Sequence, residues 1–166
     1  MKQIILLSDT HHTLDERFFP HFKIADEIWH AGDIGNLSVI EKLRDFAHLK
    51  AVWGNIDSTD IKSRFKEILN FKCENVNVMM THIGGYPPNY NNKTLPIIKQ
   101  IKPDLFISGH SHILKVMFDK KRSLLHMNPG AIGNYGIHKV KTILSFKIDL
   151  KKIKHLKIIE FPRKTI

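Results

Sequence analysis

The hydrophobic positions of this 166-residue chain fall in short runs, and the early runs all end in small and polar residues. Ile4-Ile5-Leu6-Leu7 opens into Ser8-Asp9-Thr10-His11, and Glu27-Ile28-Trp29-His30 opens into Ala31-Gly32-Asp33. Ala51-Val52-Trp53 leads to Gly54-Asn55-Ile56-Asp57, Val76-Asn77-Val78-Met79-Met80 to Thr81-His82, and Leu105-Phe106-Ile107-Ser108 to Gly109-His110-Ser111-His112. Apolar runs this short, bounded by turn residues, predict buried strands. Between them, Asn36 is placed to cap a helix whose apolar positions Leu37, Ile40, Leu43 and Phe46 recur at helical spacing. Residues 14–25 predict a short irregular helix because Pro20 interrupts the pattern, and residues 95–101 predict a helix stopped at Lys102-Pro103-Asp104. Residues 61–69 fit either a loop or a helical turn.

The second half changes character. Residues 113–118, 123–127, 141–150 and 153–161 read as strands, with turns at Asp119-Lys120 and at 149–151. The segments Tyr86-Pro87-Pro88-Asn89-Tyr90, Asn128-Pro129-Gly130 and Gly133-Asn134-Tyr135-Gly136 read as loops. Alternating strands and helices followed by a β-rich part predict parallel βαβ units first, then two packed sheets with helices outside. The length suits a single domain over 1–166 with a proper core.

Composition narrows the classes. No apolar stretch approaches the roughly 20 residues of a membrane span, and the chain enters a strand at once, so neither a membrane segment nor a signal peptide is expected. Cys73 is the only cysteine, which fits a reducing cytoplasm. The formal charge of +10 admits nucleic acid as a partner but does not favour it, because no nucleic-acid motif accompanies the charge. The excess sits late, at Lys115, Lys120, Lys121, Arg122, Lys139 and Lys141 and in the run from Lys147 to Lys164. A solvated lysine-rich face accounts for it, as does a field drawing in anionic phosphate esters.

Ligands in open α/β sheets collect beyond the carboxyl ends of strands. Asp9, His11, Asp33, Asn55, His82, His110 and His112 all stand there. Asp9 and His11 share one side of an extended stretch, as do His110 and His112. Imidazole, carboxylate and amide without thiolate suit Mn, Fe, Zn, Co or Ni. Seven ligands are too many for one ion with an open position, but they serve two ions about 3.5–4 Å apart. Asp33, alone on its loop, is the natural bridge.

Asp-x-His, Gly-Asp, Gly-Asn, a single His and Gly-His-x-His, in that order, resemble the calcineurin-like metallophosphoesterase superfamily. The short chain, Gly-Asn-x-Asp and Asn-Pro-Gly are similar to its compact phosphodiesterases of the YfcE type. The resemblance implies a four-layer α/β-β/α sandwich with a dinuclear site at the strand C-terminal rim. Asp9, His11, Asp33 and His112 would hold one ion, and Asp33, Asn55, His82 and His110 the other, with Mn the first choice of metal. A metal-bridging hydroxide would then hydrolyse a small phosphate diester by in-line attack. The same centre could act on a monoester. A eukaryotic retromer subunit of similar fold offers a non-catalytic scaffold as the other reading. An apolar C-terminal sheet edge is compatible with a homodimer.

Many members of the superfamily carry His after the Gly-Asn pair, where Ile56 stands here and cannot donate a proton. His12 follows Asp-x-His in place of the usual Gly. It reads as a substitute donor or phosphate contact, or equally as an exposed loop residue, so the expected catalytic residues are His12, Asn55 and His82. Asp57 reads either as orienting His12 or a metal ligand or, more modestly, as capping the segment that follows it, with Ser58 and Asp60. Trp29 and Trp53 are expected in the core, His30 and His126 as buried hydrogen-bonded residues, and His138 outside the cleft.

Overall fold

The computed structural model describes residues 1–163; Lys164, the end of the basic run, lies outside the described residues. Ten strands are present there: β1 (Lys2–Leu7), β2 (Glu27–His30), β3 (His48–Ala51), β4 (Ile68–Cys73) and β5 (Val76–Thr81), then β6 (Leu105–Ile107), β7 (Leu114–Asp119), β8 (Leu124–Pro129), β9 (Val140–Asp149) and β10 (Lys152–Pro162). The helices are α1 (Phe19–Phe22), which follows a 3-10 turn at Glu16–Phe18, α2 (Leu37–Arg44), α3 (Thr59–Arg64) and α4 (Thr94–Ile101).

The strands form two five-stranded sheets, ordered β10-β9-β1-β2-β3 and β4-β5-β6-β8-β7. β1, β2 and β3 run parallel, as do β5, β6 and β8, while the outer hairpins join antiparallel. The predicted β-rich second half is therefore divided, with β7 and β8 completing one sheet and β9 and β10 the other.

Side-chain alternation sets the layers. Ile4, Leu6 and Trp29 from the first sheet meet Val78, Met80 and Ile107 from the second in a fully buried core. The intervening residues Ile5, Leu7 and Ile28 face outward onto Phe22, Ile40 and Leu43. On the far side, Met79 and Phe106 pack against Ile98 of α4. The result is the four-layer arrangement of helix, sheet, sheet and helix. Strands covered on both faces have no polar side to show, which is why they read as continuous apolar runs.

Asn36 caps α2 as its position requires, its Oδ1 accepting from the Val39 amide at 3.2 Å. Three local expectations need correction. Residues 61–69 divide between the end of α3 and the start of β4, whose outer residues are partly exposed and lack an apolar run. Asn128 and Pro129 continue β8, since Pro129 stands at the strand's last position, where it interrupts no central ladder. Trp53 lies beyond β3, half-buried, with the Lys62 ammonium over its ring at 5.1 Å.

Glu27 is a buried carboxylate at the start of β2. Burial alone would raise its pKa, but hydrogen bonds from Lys2, Lys50 and the Trp29 indole outweigh burial and hold the carboxyl down at about 2. A depressed folded-state pKa contributes stability above the unfolded value that is lost as pH falls through the folded one. Glu27→Gln should therefore destabilise the protein by about 3 kcal/mol at neutral pH. Denaturant titrations from pH 7 downward should show the gap between wild type and variant closing between pH 4.5 and about 2.

Candidate metal centre

Every expected ligand stands just past a parallel strand. Asp9 and His11 follow β1, Asp33 follows β2, Asn55 follows β3, His82 follows β5, and His110 and His112 follow β6. The loops turn sharply there, and Asp9, His11, Asp33, His110 and His112 all adopt positive φ, between 42° and 69°. For residues other than glycine this costs about 1–3 kcal/mol each and persists only where the surroundings enforce it. The enforcement is visible. The amides of Asp9, His11 and His12 donate to the carbonyls of Gly32, Asp33 and Ile34 at 3.0–3.1 Å, which zips the first two loops together. The Gly109 amide does the same to the His82 carbonyl at 2.9 Å.

Two groups of ligand atoms result: Asp9 with His11 and His112, and Asp33 with His82 and His110. Asp9 Oδ1 lies 3.2 Å from His112 Nε2 and 3.9 Å from the Nε2 atoms of both His11 and His82. Asp33 reaches His82 Nε2 at 3.1 Å with Oδ1 and His11 Nε2 at 3.5 Å with Oδ2. Asp9 Oδ1, His11 Nε2 and His82 Nε2 are buried without a hydrogen-bond partner. Buried polar atoms without partners are costly, and divalent cations held by the two groups would satisfy them. The residues present thus fit divalent metal.

His82 is oriented for that role. Its Nδ1–H donates to the Ala31 carbonyl at 2.8 Å, which leaves Nε2 as the free donor atom. Burial lowers the pKa of His82, but the Asp33 carboxylate and the Asp9 charge more than reverse this, so the net shift is upward. Asp33 shifts downward for the same reason, its contacts to His82 and the Ile56 amide outweighing burial. At His11 burial prevails over both carboxylates, and the net shift is downward.

Asn55 is exposed and lines a cleft of 490 Å³ together with His82 and Trp53. His12 is not brought into either group. Its ring lies over Gly35 and lines a separate surface depression with Leu14, Phe19 and Lys42 that contains none of the ligand residues.

Several supporting residues carry more than their sequence positions indicated. Asp57 does not cap α3; its buried carboxylate accepts from the Gly35 amide at 2.7 Å and the Gly54 amide at 2.8 Å, joining the loops after β2 and β3. Gly54 must be glycine, since a Cβ there would stand 2.1 Å from Asp33 Oδ1. Asn128 donates to the Gly109 carbonyl at 2.9 Å and to Ser111 Oγ at 3.1 Å, which fixes the Gly-His-x-His turn. His30 and His126 are buried as expected, both with pKa values lowered to about 4, first by burial. Neutral His30 accepts from the Gly32 amide at Nδ1 and contacts Thr10 Oγ1 at 2.9 Å. His138, expected outside the cleft, packs edge-on against His112 with ring centroids 5.3 Å apart, and Tyr135 covers His11 at 4.8 Å. A glycine-flanked loop in the sequence does not indicate which way its rings fold back.

A family model for the calcineurin-like phosphoesterase superfamily domain matches residues 1–151. The chain belongs to this superfamily. It is 31% identical over 131 residues to a probable metallophosphoesterase of Methanocaldococcus jannaschii, a match covering 76% of the chain and 66% of that relative, just under two thirds of its length. It is 27% identical over 135 residues to a probable metallophosphoesterase of Methanothermobacter thermautotrophicus, covering 76% of the chain and 74% of the relative. The fold is shared with a predicted phosphoesterase of Streptococcus pneumoniae, at a TM-score of 0.70 and 22% identity over 98% of this chain and 90% of that one. It is also shared with Entamoeba histolytica Vps29 complexed with zinc, at a TM-score of 0.76 and 17% identity over 98% and 99% of the two chains.

In this calcineurin-like domain Asp57 holds backbone amides next to the candidate ligands Asp33 and Asn55, the role of a positioning residue. Asp57→Ala should weaken divalent-cation binding by about 10- to 100-fold, as loss of outer hydrogen bonds to a metal site does. Calorimetric titration with Mn measures this directly, alongside a thermal melt to confirm that the variant is folded.

Proposed function

We propose that the chain is a phosphodiesterase that holds two divalent cations, one at Asp9, His11, Asp33 and His112, the other at Asp33, Asn55, His82 and His110. The observation that carries this reading is the placement of two unpartnered imidazole nitrogens, His11 Nε2 and His82 Nε2, within 4 Å of both carboxylates. Asp33 faces them with different oxygens, so it could serve both groups. When bound, such cations supply Lewis-acid polarisation of the ester and an acidified water.

The rest falls to the protein. Asn55 contributes a neutral donor, so the charge at the site stays low enough for an anionic ester to approach. His82 stays fixed through Ala31, and Asp33 through the Ile56 amide. No side chain needs to form a bond to phosphorus. His12 is given no step, because it belongs to neither candidate ligand group and its ring packs over Gly35.

Two clefts support a diester over a monoester. One, of 290 Å³, is lined by His110 and Tyr86; the other, of 490 Å³, by His82 and Asn55; Ile83 and Asn91 belong to both. A diester has two substituents to seat, and a monoester has one. Ile56, exposed beside Asn55, offers no proton to a departing alkoxide, so good leaving groups should be favoured.

Chelator-stripped protein assayed with bis-p-nitrophenyl phosphate and p-nitrophenyl phosphate tests the reading. Added Mn should restore turnover, with the diester preferred. Asp33→Asn should lower the restored rate by about 10³-fold, the scale of several kcal/mol of transition-state stabilisation. Turnover of neither ester by protein shown calorimetrically to bind two cations would instead favour a scaffold role.

A further inference from the structure

The two clefts beside the ligands differ in charge. The one at His82 holds both an acid and a base, Glu67 and Lys93. The one at His110 has no carboxylate in its lining and a single cation, Lys115. Among the described residues, no carboxylate lies within ion-pairing distance of that lysine, although Lys2, Lys50, Lys141 and Lys154 each have one.

The position of Lys115 is fixed from two sides. It lies on β7 opposite Asn128, on the face of the second sheet that also carries His126, while its neighbours Leu114 and Val116 turn into the core between the sheets. Its ammonium sits 3.5 Å from the centroid of the Tyr86 ring. Tyr86 in turn belongs to a closed loop, held by Tyr86 N–H to the Asn89 carbonyl at 3.2 Å and Asn91 N–H to the Gly84 carbonyl at 3.0 Å. A cation–π contact balances part of the ammonium's charge without neutralising it. The lysine is thus held partly buried on the wall of a cleft that also contains a metal-ligand candidate, with its charge available.

We propose that this cleft selects phosphodiesters carrying a second anionic group, a phosphate or carboxylate on the substituent seated beside His110, which Lys115 binds while Tyr86 holds the lysine in place. The inference rests on the phosphodiesterase reading and names the substrate class within it. A diester with a neutral or cationic arm gains nothing from Lys115 and leaves its charge unmatched.

Two chromogenic diesters that differ by one phosphate provide the test: thymidine 5'-(p-nitrophenyl phosphate) with and without a 3'-phosphate. With Mn present, wild type should favour the 3'-phosphorylated ester by about five- to tenfold in kcat/KM, the scale of a partly screened ion pair. Lys115→Gln should bring that ratio to about one, Lys115→Arg should retain most of it, and Tyr86→Leu should reduce it through loss of the ring that positions the ammonium. Calorimetric binding of thymidine 3',5'-bisphosphate against thymidine 5'-monophosphate gives a readout independent of turnover. Equal kcat/KM for the two esters in wild type, or a ratio unchanged by Lys115→Gln, would overturn the proposal while leaving a working phosphodiesterase intact. Absence of turnover with bis-p-nitrophenyl phosphate would instead sink the parent reading, and the bisphosphate preference in binding, present or absent, would still decide the role of Lys115.

Discussion

Two buried carboxylates face one another across four imidazoles at the rim of this fold, and the remaining local structure keeps them there. Among the described residues, neither Asp9 nor Asp33 is paired with a lysine or arginine. Placing two such charges close together is expensive in a low-dielectric interior unless positive charge compensates for them. Protonated His82 can supply part of this through Asp33, which is the sense in which both their pKa values shift. Divalent cations at the two groups would supply it more completely and would also satisfy the buried Nε2 atoms. The same atoms are a liability to the protein alone and would be ligands to a metal.

Maintaining this arrangement requires strained backbone, and the strain is borne by hydrogen bonds between loops. Five of the seven proposed ligands have positive φ. Each loop is tied to a neighbour from a different strand: the first two through the carbonyls of Gly32, Asp33 and Ile34, the third through Asp57, and the last through Asn128. These ties connect residues distant in sequence, so the site's geometry depends on the register of the parallel strands beneath it. Small residues at the crossings, such as Gly54 against Asp33, let the loops approach closely enough for one carboxylate to face two groups of ligands.

The sequence was most legible where both faces of a strand are buried. Ile4 to Leu7 and Leu105 to Ile107 read as strands because no side is solvated, and the polar residues just past them identified the rim. Parallel order followed from alternating helices. It was least legible where a role depends on a backbone amide rather than a partner side chain. Asp57 could be read as an orienting residue or as a cap, and the choice stayed open because its partners, the amides of Gly35 and Gly54, leave no mark on residue type. The fold-back of His138 and Tyr135 onto His112 and His11 is a property of loop path, which neither periodicity nor spacing encodes. β4 escaped because an edge strand with half-exposed side chains has no continuous apolar signal.

The net charge of +10 was the strongest compositional signal, yet it is a poor guide to selectivity. Charges farther than about 8 Å from a ligand are largely screened at physiological ionic strength. Six of the basic groups are also matched locally: Lys2 and Lys50 by Glu27, Arg17 and Lys141 by Asp15, Arg122 by Asp119, and Lys154 by Asp149. What remains at long range can raise the encounter rate of any anion but distinguishes few of them. Discrimination must come from groups inside the clefts, where screening is weaker and geometry fixed. Since the two clefts share the Ile83 and Asn91 wall but differ in their charged linings, the orientation of an unsymmetrical ester in the proposed reaction would follow from which arm is anionic. On the proposed phosphodiesterase reading, the mouth of the site would then determine the leaving group, while the proposed ligand set, common to either orientation, would determine only that phosphorus is attacked.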